Sequence, residues 1–160
     1  MSELPSLTEQ RIDPPADAGW WVQRVGHRTW LGHTASGATV LMADPEVGRP
    51  GAFTPGDLLK LALAGCAGMS SEGPASRRLG EDYPATLAVS GIEHPSEERY
   101  ESLDVQILLN TAGLDDGQRK TLIDVISRSI AKECTIGLTV QNGAIVSVEI
   151  EDAPSSPVDS

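Results

Sequence analysis

The stretch Thr54–Met69, TPGDLLKLALAGCAGM, constrains the chain more than any other. Thr54 can cap a helix, Pro55 fits a first turn that needs no backbone N–H, and Asp57 places negative charge at the positive end of the helix dipole. Leu58, Ala62, Cys66 and Met69 recur at helical spacing, so one thiol lies on the inward-facing stripe. Ala62, Ala64, Gly65, Ala67 and Gly68 keep the segment slim, which lets another backbone approach closely at some cost in helix propensity. Taken alone, the stretch reads equally well as a core helix holding an inert buried cysteine. The chain's second cysteine, Cys134, opens another reading.

With 160 residues the chain has the length of one domain with a real core. A net charge of −11 argues against nucleic acid or an anionic membrane surface as partner. No apolar run approaches the ~18–20 residues of a membrane span. The start, MSELPSLTEQRIDPP, lacks a basic segment followed by an apolar block, so a cytoplasmic protein is expected. In that compartment two cysteines point to reactive, metal-binding or simply buried thiols more than to a permanent disulfide.

Residues 1–18, rich in proline and acidic side chains, are expected to form a disordered arm, and 151–160 a disordered tail, around a domain spanning 19–150. Trp20–Arg24, Thr29–His33 and Ala38–Met42 read as short strands. Asp44–Phe53 reads as a loop into the cysteine helix, which Gly73-Pro74 should stop or kink. Ala85–Ser90 and Leu103–Asn110 read as strands, the second with Leu103, Val105, Ile107 and Leu109 on its buried face. Asp115–Glu133 is the second long helix. Its stripe of Leu122, Ile126 and Ile130 steps next onto Cys134. Gly137–Gln141 and Ala144–Ile150 are expected to form a hairpin about Asn142-Gly143. The element order implies a mixed α/β or α+β fold.

Both thiols therefore end up on apolar stripes of the two long helices. If those helices pack face to face, Cys66 and Cys134 can form a redox pair, one attacking an oxidant and the other resolving the sulfenic acid.

At this point the residues resemble a known family. Pro55-Gly56-Asp57-Leu58-Leu59, Ala62-Leu63-Ala64-Gly65-Cys66 and Glu133-Cys134-Thr135 are similar to the OsmC/Ohr family of thiol-dependent hydroperoxide reductases, closest to its OsmC-like branch. The resemblance covers roughly Trp20 to Ile150. It implies an α+β, OsmC-like fold in which antiparallel sheets wrap two central helices within an intertwined homodimer. It implies a peroxidase acting on organic hydroperoxides, and on hydrogen peroxide as a further candidate, in oxidative or osmotic stress. Cys66 would be the peroxidatic thiol and Cys134 the resolving one. An external dithiol, of lipoyl type in the Ohr branch, would reduce the disulfide, with no metal, haem or flavin.

A nucleophilic cysteine must be a thiolate, whereas apolar burial raises its pKa. Cys66 lies roughly 18 Å from the start of its own helix at ~1.5 Å per residue, so that dipole helps little. The family supplies an arginine, and counting back from the Ser36-Gly37 turn places Arg28 there, with Arg24 as alternative. The family's carboxylate, which orients the arginine, would fall on Gly56 at the Ohr spacing. Asp57, one place later, is the acidic candidate, or else it serves only the helix terminus. That departure motivates a rival reading: an OsmC-fold stress-response or small-molecule-binding dimer with weakened catalysis. His27, His33 and His94 form no ligand cluster by spacing. Trp20, Trp21, Trp30 and Phe53 are expected in the core or in a dimer contact, with Phe53 able to wall an apolar pocket.

Overall fold

The computed structural model of the protein describes residues 10–157. Its chain divides into two units, one running up to Leu58 and taking in the residues from Ser147 on, the other Leu59–Val146.

The first unit is built by aromatic and β-branched alternation. After a two-residue strand, β1 (Gln10–Arg11), come β2 (Trp20–Gly26), β3 (Thr29–Thr34) and β4 (Thr39–Ala43), an antiparallel sheet in the order β2-β3-β4. These match the expected strands to within two residues. The turn into β3 carries Arg28 at φ 45°, a left-handed backbone that a side-chain-bearing residue seldom adopts. Thr29 Oγ1 donates to the His27 carbonyl at 2.8 Å and closes the turn. Val25, Leu31 and Ala43 are buried in this unit together with Thr29 and Gly32. The aromatic residues largely do not: Trp20 is 82 % exposed, Trp30 and Phe53 are also exposed, and only Trp21 finds a stacking partner, the His33 ring at 5.1 Å.

Beyond β4, Asp44 caps a short 3₁₀ turn (Pro45–Val47), and the chain enters α1 (Pro55–Leu79). Thr54 and Asp57 cap its start reciprocally: Asp57 N–H donates to Thr54 Oγ1 and Thr54 N–H to Asp57 Oδ2, each at 3.0 Å. The helix does not stop at Gly73-Pro74: α1 runs through Pro74 to Leu79. Proline deprives the Ser70 carbonyl of its helical donor, and the Ser129 hydroxyl supplies a replacement at 2.7 Å.

In the second unit, β5 (Ala85–Glu93) and β6 (Tyr100–Leu109) pair antiparallel, followed by α2 (Asp116–Glu133). Asp115 and Gln118 form a capping box at the start of α2, as its acidic beginning suggested. Two apolar clusters bind helices to hairpin. Leu63, Ala67 and Cys134 pack with Leu87, Leu103 and Val105; Ala75, Leu122 and Ile126 pack with Leu79, Ile107 and Leu109. Ile130 touches both.

The C-terminal hairpin expectation is overturned. Residues Thr135–Asn142 form a helix, α3, instead of a strand, and Ala144–Ile150 has no regular secondary structure. Cys134 breaks the chain between α2 and α3 with an extended backbone (φ −74°, ψ 90°) and its sulfur caps the new helix. Asn142-Gly143, a hairpin signal between strands, here ends a helix: Gly143 takes φ 75° and donates its N–H to the Thr139 carbonyl at 2.8 Å. The flanks expected to be free of structure carry a short ladder, with Gln10–Arg11 antiparallel to β7 (Ser156–Pro157). The rest of the arm and tail expectation at 1–9 and 158–160 lies outside the described residues. No helix among the described residues is long and apolar enough to cross a membrane.

Candidate active site

Two helices deliver one thiol each to a single cluster. Small residues keep α1 slim around Cys66, and the stripe of α2 ends on Cys134. Cys134 is only 2 % exposed, enclosed with Leu63 and Ala67. Cys66 is partly buried and packs on the same cluster with Ile130 and Ile136. Both sulfurs are free thiols.

The break at Cys134 determines what the sulfurs meet. Because α2 stops at Glu133 and α3 starts at Thr135, the unsatisfied first-turn N–H groups of α3 lie next to the thiols. Cys134 Sγ accepts the Gly137 N–H at 3.3 Å. The Ile136 N–H is the strongest influence on Cys66 and holds its pKa below the ordinary thiol range. Burial opposes it, and the Cys134 side chain, the Thr135 N–H and the Ser70 hydroxyl add to the lowering. Cys134 is shifted the other way. Burial, the largest influence, raises its pKa; the Gly137 N–H offsets part of this, and the adjacent Cys66 raises it further. The two thiols are thus shifted in opposite directions.

A cavity of about 490 Å³ opens beside Cys134, with Leu63, Ala67, Leu103, Val105 and Ile130 in its walls. Among the described residues, no group of three or more His, Cys, Asp or Glu side chains could hold a metal ion.

The other candidates occupy the first unit. Arg28 Nη2 bonds Asp44 Oδ2, and Asp44 also accepts the Glu46 N–H at 3.0 Å. The Glu46 bond, then Arg28, hold the Asp44 carboxyl below its usual pKa. Arg24 lines a separate hollow with Arg11, Trp21 and Trp30. Asp57 takes part in the α1 cap described above. The residues call for a cation near Cys66 and give little sign of α3, because Gly137–Gln141 reads as β-branched strand. The available signal was Cys134 itself, a polarisable acceptor immediately before Thr135.

The sequence model for OsmC-like proteins matches residues 48–149. The chain belongs to the OsmC-like family. Among the chain's relatives, the uncharacterized protein Rv2923c of Mycobacterium tuberculosis is 42 % identical over 132 residues, which is 82 % of this chain and 95 % of that protein. Two solved structures share the fold. A hypothetical protein from Aquifex aeolicus superposes with a TM-score of 0.60 at 15 % identity, covering 77 % of this chain and 86 % of the other. The organic hydroperoxide resistance protein OhrB of Bacillus subtilis gives 0.51 at 20 % identity, covering 77 % and 90 %. The OsmC-like α+β fold, with antiparallel sheets and helices, is thus the architecture of this chain.

Proposed function

We propose that this OsmC-like protein is a two-cysteine peroxidase that reduces organic hydroperoxides, and hydrogen peroxide as a smaller substrate, under oxidative or osmotic stress. The observation that carries this reading is a pair of free thiols from two helices meeting in one apolar cluster, Cys134 seated against the first turn of α3; the lowered Cys66 and raised Cys134 are in keeping with it. The Cys66 thiolate attacks the terminal peroxide oxygen, the O–O bond breaks, and the alkoxide leaves as alcohol after taking a proton. Cys66 is then a sulfenic acid. Cys134 attacks that sulfur, the S–O bond breaks, and hydroxide leaves as water with the Cys134 proton. An external dithiol, of lipoyl type by resemblance, returns the disulfide to two thiols. The cavity beside Cys134, with an aliphatic wall and Glu101, Ser102 and Gln141 in its lining, is taken in this reading to hold the alkyl or aryl body of a hydroperoxide, although Cys66 is not among the residues that line it. Arg28, which bonds Asp44, stays in this reading as the candidate cation by family resemblance alone.

The reading also includes a homodimer and a cytoplasmic setting. Support for the dimer comes from Val146, Val148 and Ile150, all strongly exposed and alternating along a segment without regular structure. The rival, a binding dimer with weakened catalysis, keeps the same fold.

The deciding experiment follows thiols after one equivalent of cumene hydroperoxide. Loss of two thiols per chain, abolished by Cys66→Ser and replaced in Cys134→Ser by a sulfenate that dimedone traps, supports the peroxidase. Unchanged peroxide consumption in Cys66→Ser removes it.

A further inference from the structure

The first turn of α3 does more than adjoin the thiols. Its three leading N–H groups, those of Thr135, Ile136 and Gly137, are the ones that no helical carbonyl can satisfy. The Gly137 N–H donates to Cys134 Sγ at 3.3 Å, Ile136 packs against the same cluster, and the Thr135 and Ile136 N–H groups favour the ionised form of Cys66, the Ile136 N–H lowering Cys134 as well. Gly137 has a steric signature. A Cβ at position 137 would stand 3.1 Å from Cys134 Sγ, 3.6 Å from Cys134 Cβ and 3.8 Å from Leu63 Cδ1. Leu63 and Ala67 pack on the almost wholly buried Cys134, and the room left beside it is the cavity that Gly137 and Cys134 both line. Gly137 is a helical residue and lies outside the left-handed glycines, so no backbone demand accounts for it. In an ordinary helix position alanine would be the better residue.

We propose that the first turn of α3 is an anion cradle shared by the two sulfurs, and that Gly137 is the positioning residue that seats Cys134 Sγ against it. The inference rests on the thiol-pair reading above and extends it to the redox cycle. In the reduced protein the Thr135 and Ile136 N–H groups hold negative charge on Cys66. During resolution Cys134 must itself become an attacking thiolate although its surroundings are apolar, and the Gly137 N–H stabilises the charge that forms there. When the dithiol attacks the disulfide at Cys66, the S–S bond breaks and its electron pair goes to Cys134 Sγ, against the same N–H. One helix end therefore serves both sulfurs, through donors that ionic strength does not screen as it would an exposed cation.

Two variants test this. Gly137→Ala keeps the N–H, improves helix propensity and crowds Sγ. Thr135→Pro removes one Cys66-directed N–H at the position where a helix best accepts proline, after a residue whose extended backbone suits it. Closure of the Cys66–Cys134 disulfide is followed with oxidised glutathione, in which one glutathione disulfide becomes two thiols as the protein disulfide forms. This readout needs no peroxidase activity, so a protein inert to peroxide would overturn the function above without touching the cradle. Expected are closure in Gly137→Ala slowed about tenfold in a protein that still melts cooperatively, and a Cys66 alkylation midpoint raised by about half a pH unit in Thr135→Pro. Wild-type closure in Gly137→Ala overturns the positioning role. An unmoved Cys66 midpoint in folded Thr135→Pro overturns the cradle.

Discussion

Ser129 Oγ donates to the Ser70 carbonyl at 2.7 Å, at the point where Pro74 leaves that carbonyl without a helical partner. A hydroxyl on α2 thus repairs α1 four residues beyond Cys66 and helps hold the thiol-bearing helix on its neighbour. Ser129→Ala strands a carbonyl in the interior and is expected to cost about 1–2 kcal/mol of unfolding free energy, read by urea denaturation. Pro74→Ala returns the missing N–H, so the double variant Ser129→Ala/Pro74→Ala should lose less than the two single losses added together. Strict additivity would mean that the serine does not stand in for the absent donor.

The thiols should separate by pH. Cys66, lowered by the Ile136 N–H, is expected to alkylate with a midpoint below the ~8.5 of a free cysteine, so peroxide consumption should extend to more acidic pH than an ordinary thiol allows. Cys134, raised by burial, should stay unmodified at neutral pH in the reduced protein. Mass spectrometry of iodoacetamide-treated protein across pH 5–10 reads both. Modification of Cys134 ahead of Cys66 would reverse the assigned roles.

Much of this site was legible in the residues, and the part that was not has a definite cause. Four-residue steps from Leu122 to Cys134 locate the second thiol on a buried stripe, and the small residues around Cys66 mark a closely approached helix. Periodicity reports burial, and burial is what brings the sulfurs together. It does not report a change of direction. The residue after the α2 stripe could continue it, cap it or start anew, and Cys134 caps both α2 and α3. Val140 and the Asn142-Gly143 pair then favour a strand and turn locally, while side-chain bonds from Thr139 to the Thr135 carbonyl and from Asn142 to the Leu138 carbonyl, each 2.8 Å, support a helix. Pro74 follows the same logic, since the group that replaces its N–H is 55 positions away in sequence and invisible to any local rule.

Asp44 joins the Arg28 turn to the loop before α1. It bonds the Arg28 guanidinium and accepts the Glu46 N–H, and both favour its ionised form. A carboxylate depressed in the folded state contributes stability above its unfolded pKa of ~3.9 and loses it as pH falls through the folded value. Asp44→Asn should therefore melt below wild type at pH 7. The two curves should converge as the pH is taken below 3. A gap that persists in acid would mean that the aspartate acts through shape and not through charge.

The segment after α3 carries an exposed apolar row. Val146, Val148 and Ile150 alternate with Ser147 and Glu149, the period of a strand with one apolar face. No strand among the described residues takes up that segment, and Val146 and Val148 are each 82 % exposed. Exposed alternating β-branched residues invite pairing with another sheet edge, and a second copy of the chain supplies one in the proposed homodimer. Light scattering coupled to size exclusion should give twice the chain mass for wild type. Val148→Lys places a charge within the apolar row while leaving the thiol cluster, which it does not join, intact. It is expected to shift the protein toward monomer in a concentration-dependent way and to lower the melting temperature, because subunit association stabilises the fold by mass action. A wild-type monomer at micromolar concentration, or a Val148→Lys dimer as tight as wild type, would show that this row of side chains is not where two copies meet.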